Sequence, residues 1–563
     1  MTDFSIDPGD LAATLDTVFS QLDNDRFVDA LWTRRADIWS NDYAVKTAIA
    51  DRLGWLDAVE FATRELSQVE SFAQRVRSST FTDVVLFGMG GSSLAPEVFH
   101  RLFGRDNVRP RFRMLDSTDP AAVREALTNA ATSLFIIASK SGTTIEPNSM
   151  AGAARRRVEA AGIKDWASRF VAITDEDTHL HRRAVNEAFF HVFVNPSDIG
   201  GRYSALTLFG IVPAAIIGVP LPALLDGARQ MVEACRTKSA RGNPGVALGA
   251  FIGAAARQGR DKLTLLLPAH LEPFGLWIEQ LIAESTGKHG KGIVPIAGET
   301  LDAPPAADRV AVAVRVDGAG VDERVIGRMR DAGVPLMTIE MPRVAALGAE
   351  FFRWEIATAT AGKVLEINPF DEPNVQQAKD ATRALLDAYA TREQLPRTPP
   401  DVTTGDIEFT FSAATRDRLG ANGAERFLDQ LGAGDYFALL AYLPPDDPAL
   451  DPVLRNLRNT VAVTRRCATM FGYGPRYLHS TGQLHKGGAN NGVFLVLTAP
   501  AQADIPVPEA PYSFGVLEMA QALGDFQSLD RANRRAVHVH LPDRKPESIA
   551  RLADLLGISL RQD

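Results

Sequence analysis

Short apolar runs that stop abruptly in glycine- or hydroxyl-rich turns, each followed by a helical stretch, limit what this chain can fold into. "FTDVVLFGMGGSSLAPEVF" reads as strand, glycine turn and helix, and "RFRMLDSTDP", "SLFIIASKSGTT" and "FVAITDED" repeat the theme. Continuous apolar runs such as Phe135 to Ala138 suit parallel strands covered on both faces. Their alternation with helices predicts a doubly wound parallel sheet. A second set begins near residue 245 with "DKLTLLLPA", "RVAVAVRV" and "VPLMTIEMP". "LPRTPPDVTTGD", Leu395 to Asp406, reads as a linker, and a third set follows with "YFALLAYLP", "NGVFLVLTA" and "AVHVHLP". A chain of 563 residues exceeds what one hydrophobic core serves. The expected class is therefore α/β: a helical N-terminal segment over 1–78, α/β domains over 79–240 and 241–392, and a C-terminal α/β region over 406–563.

Charge and cysteine content narrow the partners. Lys and Arg number 60 against 69 Asp and Glu, a net charge of −9, which disfavours a general nucleic-acid or anionic-membrane binder. The longest apolar stretch, "LFGIVPAAIIGVPLPALL", is interrupted by prolines and glycines and is expected to form packed helices and not a membrane span. Cys235 and Cys467 are the two cysteines, in no metal-binding spacing. With no secretory leader in "MTDFSIDPGD", a reducing cytoplasmic setting is expected.

Two strand ends in the first set carry the binding signal. Ser139, Lys140, Ser141, Thr143 and Thr144 lie between an apolar strand and a helix, where backbone and hydroxyl donors can hold an anion, most often phosphate. The same residues also suit an ordinary polar βα loop. Gly88-Met89-Gly90-Gly91-Ser92 ends the preceding strand and permits close backbone approach to a ligand. Ser93 stands where a dinucleotide fingerprint needs glycine, and the hydroxyl loop lacks the frame of an ATP-binding P-loop. A small phosphorylated ligand fits better than a nucleotide.

Three charged residues stand in unusual places. On a helical wheel with Trp277 at the origin, Glu284 falls near ~340° and Gln280 near ~300°, bordering the apolar stripe. A carboxyl there is poorly solvated and has a raised pKa, as a general base requires; pairing with Lys288 is the alternative. Lys379 shares a helix face with Val375, Thr382 and Leu386, either as a group needing a ligand or as a snorkelling side chain. Arg202 follows two glycines in "DIGGRYSALT", presented to an anion or engaged in a surface ion pair.

In their order, "GMGGSSLAPEVF", "FIIASKSGTTIEPNS", "GGRYSALT", "EQLIAESTGK" and "GKVLEINPFDEPNVQQAK" resemble the phosphoglucose isomerases over roughly residues 80 to 385. "RYLHSTGQLHKGGANNGVFL" is similar to the isomerase half of bifunctional transaldolase–phosphoglucose isomerases. Fewer than 80 residues precede the first sheet, so no transaldolase half is expected. The resemblance implies two sugar-phosphate isomerase (SIS-type) domains and a cytoplasmic glycolytic and gluconeogenic enzyme interconverting glucose 6-phosphate and fructose 6-phosphate. It implies that Ser139, Lys140, Ser141, Thr143 and Thr144 hold the phosphate and that Gly91 and Ser92 line the sugar. It makes Glu284 the base between C1 and C2 with Gln280 beside it, Arg202 the stabiliser of a cis-enediolate, and Lys379 a further catalytic group.

Two departures stand out. Glu372 replaces a usual Gln. The histidine expected to open the sugar ring is missing from its usual place, where this chain reads "RMRDAGVPLM". Of the remaining histidines, His485 in "GQLHKGGANNG" is the expected substitute, with His479 and His289 as alternatives. No His, Asp and Glu set has ligand spacing, so chemistry without metal or cofactor is expected. A homodimer is compatible with the reading. The rivals are a non-catalytic regulatory phosphosugar-binding protein and an isomerase that also takes mannose 6-phosphate.

Overall fold

The structure, a computed structural model, describes residues 3–104, 110–302, 304–420 and 423–560. Its strands make three sheets. Strand β1 (Phe4–Asp7) opens the described chain. The first sheet follows, built from β2 (Asp83–Phe87), β3 (Arg111–Leu115), β4 (Ser133–Ala138), β5 (Phe170–Asp175) and β6 (His191–Asn195). It is wholly parallel, in the order β3-β2-β4-β5-β6. The order reverses between β2 and β4, so the crevice at their carboxyl ends receives both the glycine turn and the hydroxyl loop.

The second sheet contains β7 (Lys262–Leu266), β8 (Val294–Ile296), β9 (Arg309–Val316) and β10 (Leu336–Met341), in the order β1-β10-β9-β7-β8. Here the N-terminal segment departs from expectation. It is not purely helical: β1 pairs antiparallel with β10, Phe4 opposite Ile339. Four residues that alternate between half-buried and exposed form an edge strand too short to register against the helical pattern after it.

The third sheet holds β11 (Val402–Thr404), β12 (Ile407–Phe411), β13 (Tyr436–Tyr442), β14 (Ala468–Tyr473), β15 (Gly492–Thr498) and β16 (Arg535–His540), in the order β11-β12-β16-β15-β13-β14. The end of the expected linker is thus strand β11, hairpinned to β12. The long apolar stretch forms two helices separated at Gly218: Leu208–Ile217, which is almost wholly buried, and Leu221–Ala234, which buries one face. Among the described residues no helix is long and apolar enough to cross a membrane.

One apolar cluster runs from Leu11 to Phe370 and joins the N-terminal helices to the first two sheets. The third region is fastened onto this body. Leu385 and Leu386 of the helix Val375–Arg392 pack against Leu517 and Leu523 of the helix Phe514–Arg531. Arg476 makes a bidentate pair with Asp116, both bonds 2.8 Å. Arg458 donates to the carbonyls of Ala297 and Gly298 at 2.8 and 3.0 Å. The Arg476–Asp116 pair fixes how the turn after β14 meets the strand ends of the first sheet, while Arg458 ties the third region to the end of β8.

Candidate active site

The site grows from the turn that carries Arg202. Gly201–Tyr203 is one 3-10 turn, and a side chain placed on Gly91 would put its Cβ 2.0 Å from the Gly201 carbonyl oxygen. Only glycine at 91 lets the helix Gly91–Phe103 begin against that turn. Beneath it Tyr203 packs on Trp55 and Phe370, which hold the turn rigid.

Arg202 is buried, and an unsatisfied buried guanidinium costs several kcal/mol. Its donors are accordingly engaged. Nε donates to Ser285 Oγ at 2.8 Å, Nη2 to the carbonyls of Pro369 and Asp371 at 2.8 and 3.0 Å, and Nη1 to Glu372 Oε2 at 2.9 Å. The same Nη1 stands 3.8 Å from Glu284 Oε2.

Glu284 lies in the last turn of the helix Glu272–Thr286, whose Trp277 and Phe274 stack together and pack edge-on against Phe351. Burial pushes the Glu284 carboxyl up to about 8; Arg202 opposes that rise, Glu372 adds to it, and Lys288 and Lys379 oppose it. A carboxyl so placed can exchange a proton near neutral pH. Gln280, one turn earlier, donates to Glu284 Oε2 at 3.4 Å and to the His479 carbonyl at 2.7 Å.

That carbonyl brings the third region into the site. His479 ends the short turn Arg476–His479 directly after β14, and a Cβ on Gly90 would meet its carbonyl oxygen at 2.6 Å. The imidazole Nε2 lies 2.9 Å from Glu146 Oε1. Glu146 is buried in the first turn of the helix Ile145–Ala160, immediately after the hydroxyl loop. Gln521 Nε2 donates to the same carboxylate oxygen at 2.7 Å, and Thr118 steadies Gln521 at 2.8 Å. Burial would raise the Glu146 carboxyl, but His479 and nearby donors outweigh it and hold it below its ordinary range. Arg202, Glu284, Gln280 and the His479 carbonyl thus form one polar path, and the His479 ring meets Glu146 just beyond the hydroxyl loop.

The hydroxyl loop is compact. Ser139 Oγ and Thr144 Oγ1 lie 3.1 Å apart, as do Ser141 Oγ and Thr143 Oγ1, and Asn148 ties the helix back to the Thr144 carbonyl at 2.8 Å. No side chain caps the helix at Thr144, so its first amides face the loop. Ser92 lies in the first turn of the neighbouring helix beside Gly91.

Some residues fall elsewhere than expected. Lys140 turns its ammonium to Asp175 and to the Ser197 carbonyl, the latter at 2.8 Å, so its charge is held at the end of β5. Lys379 is exposed, while Val375, Thr382 and Leu386 of the same face are buried. Its charge nevertheless reaches both Glu284 and Glu146.

His485 is not brought to this chain of groups. It is 1% exposed, among the rings of Tyr477 and Phe494, and among the described residues neither ring nitrogen has a hydrogen-bond partner. Burial, with Lys486 and Arg534 nearby, drives its pKa well below the usual imidazole range. His289 occupies an exposed turn. The histidine at the site is His479.

Three further residues of the site, Glu146, Lys288 and Gln483, carry little signal of their role in the sequence. Thr143-x-x-Glu146 has capping-box spacing, but Glu146 points at His479 and makes no cap. Lys288 is buried and donates to the Asn368 carbonyl and to Asp371 Oδ1, each at 2.6 Å. Gln483 accepts from the Asn374 amide and donates to the Gly287 carbonyl, both at 2.8 Å. Together they pin the loop that carries Glu372.

A hydroxyl-lined strand-end loop and a buried carboxyl–arginine pair thus share one α/β fold. Residues 53–303 match the family model for phosphoglucose isomerase. It is 29% identical over 435 residues to a glucose-6-phosphate isomerase of Synechococcus sp. (strain CC9902), covering 68% of this chain and 79% of that protein. A glucose-6-phosphate isomerase of Prochlorococcus marinus (strain MIT 9313) is 27% identical over 415 residues, 64% of this chain and 75% of the relative. The fold matches the crystal structure of a glucose-6-phosphate isomerase from Chlamydia trachomatis with a TM-score of 0.53. That match has 17% identity and covers 68% of this chain and 87% of that one. A hypothetical protein from Thermus thermophilus gives a TM-score of 0.57 at 23% identity, over 68% of this chain and 99% of the other.

Proposed function

We propose that this protein is an aldose–ketose isomerase interconverting glucose 6-phosphate and fructose 6-phosphate. The observation that carries the reading is the buried Glu284 carboxyl beside Arg202, hydrogen-bonded through Gln280 to the carbonyl of His479, whose imidazole meets Glu146 just beyond the hydroxyl loop. A protein that only bound phosphosugars would need the loop but not a desolvated base.

Each group has a task. Ser139, Ser141, Thr143, Thr144 and the first amides of the helix behind them hold the phosphate. His479, oriented by Glu146, moves the proton between the anomeric hydroxyl and the ring oxygen, which opens the pyranose; Lys379 stands at the cleft to steady the oxygen released. Glu284 takes the C2 proton of the open aldose and returns it to C1, while the hydroxyl proton passes from O2 to O1. The enediolate formed between these steps carries negative charge on oxygen, and Arg202 stabilises it there. Gly91 and Ser92 border the sugar. No step needs a metal or redox cofactor. The working setting is the cytosol, and a homodimer is compatible with this site.

A coupled assay of glucose 6-phosphate formation from fructose 6-phosphate tests the reading, with mannose 6-phosphate in parallel to set substrate breadth. Activity is expected and should survive prolonged EDTA treatment; loss on chelation with recovery on adding Zn²⁺ would replace the mechanism. Glu284 acts as a carboxylate, so kcat/KM of the free enzyme should rise with pH through about 8, where burial has moved the group. A profile already flat above pH 5 would place the base elsewhere.

The loop gives a separate expectation. Ser141→Ala combined with Thr144→Ala should raise KM about 10-fold or more with kcat little changed, because phosphate contacts are alike in ground and transition states. Inorganic sulfate should compete with substrate in the parent and much less in the double variant.

A further inference from the structure

On the same guanidinium nitrogen that faces Glu284 sits a second carboxylate, from a residue the proposed reaction does not use. Glu372 Oε2 is 2.9 Å from Arg202 Nη1, and Glu284 Oε2 is 3.8 Å from it. The other Arg202 donors are committed to Ser285, Pro369 and Asp371. Nη1 is therefore the part of Arg202 for which two anions compete. An enediolate at the proposed position would be a third.

Glu372 is not there by chance of a loose loop. Lys288 grips the Asn368 carbonyl and the Asp371 carboxylate on one side of it. Gln483, from the third region, holds Asn374 on the other. Between these anchors the Glu372 side chain is 48% exposed, against 9% for Glu284. It reaches Arg202 from the solvent side and can turn back into water without unfolding anything.

We propose that Glu372 is a resident competitor for Arg202 that keeps the base Glu284 from being neutralised by that guanidinium and is displaced when the enediolate forms. The inference rests on the isomerase reading above. Around Glu284 the charged groups are Arg202 from the 3-10 turn, Glu372 from the anchored loop, Lys288 beyond its own helix and Lys379 from the helix Val375–Arg392; Asp371 is paired with Lys288. With Glu372 in place, Arg202 shares its charge between two carboxylates. Without it, Arg202 is left to Glu284 alone, and the carboxylate form of Glu284 gains stability at lower pH. Glu372 is thus a positioning residue: it touches neither the sugar nor the migrating proton, and acts through Arg202.

The test compares the parent with Glu372→Gln and Glu372→Met, both at a half-exposed site where folding should be unaffected. The acid limb of kcat/KM is expected to move down by about one pH unit in both variants, since an opposite or like charge within reach shifts a carboxyl by that order. A linear sugar-phosphate hydroxamate, which mimics the enediolate anion, should bind several-fold more tightly once the resident carboxylate is gone. A purely structural role for Glu372 would change Tm or kcat at all pH values alike and leave the limb where it was. Limbs that superimpose on the parent's, with unchanged hydroxamate affinity, overturn the proposal while the parent's isomerase activity stands. A parent without isomerase activity would instead remove the reading on which it rests.

Discussion

Glu284→Gln is expected to lower kcat by about 10²–10⁴-fold, the contribution of one positioned proton-transfer group. That corresponds to about 3–5 kcal/mol of transition-state stabilisation. Gln keeps the volume of Glu284 and its contact with Gln280, so packing against Trp277 and the rest of the helix is preserved. What it lacks is a carboxylate basic enough to take the C2 proton. The variant should be no less stable than the parent, because a carboxyl driven upward by burial is already costly to ionise where it stands. KM should change little, since the proposed phosphate site is the separate hydroxyl loop. Steady-state kinetics with fructose 6-phosphate, beside a thermal melt, checks both halves; near-normal kcat would reject Glu284 as the base.

The second large effect concerns ring opening. His479→Ala should lower kcat/KM by about 10²-fold, and Glu146→Gln by less, because the imidazole survives there without its orienting carboxylate. The His479 variant should still bind a linear hydroxamate, which needs no opening. His485→Leu gives the contrast. An imidazole with no hydrogen-bond partner in an apolar surround gains nothing from its nitrogens, so an apolar replacement of similar size should be near-neutral in stability and cost less than ~10-fold in kcat/KM. If the His485 variant is the crippled one, the proton comes through the third-region core and the His479–Glu146 pair is structural.

Much of this site is legible in the sequence. The hydroxyl loop and glycine turn can be placed at strand ends because apolar runs end sharply at Ala138 and Phe87. The position of Glu284 on the border of its helix stripe is a matter of angular spacing, and its raised pKa follows from that position. The strand-end rule, applied once more, points to His479, which follows β14 directly, whereas His485 lies on the next short helix. The expectation of His485 gives weight to a glycine-rich neighbourhood, which describes the backbone and says nothing of where an imidazole points.

Local sequence determined the elements of this protein because periodicity, turn residues and apolar runs act over a few residues and need no partner. The alternation of strand and helix, the open helix start after Thr144 and the amphipathic setting of Glu284 are of that kind. Only the tertiary structure decided which charges meet. Glu146 and His479 are 333 residues apart and Arg202 and Glu372 are 170 apart. Their encounters depend on how the third region docks onto the first two sheets and how Gly91 seats one helix against the Arg202 turn. The edge strand at Phe4–Asp7 and the turn of Lys140 toward Asp175 belong there too. Each was settled by a partner distant in sequence, and a pairing energy between distant groups leaves no trace in the spacing of either one.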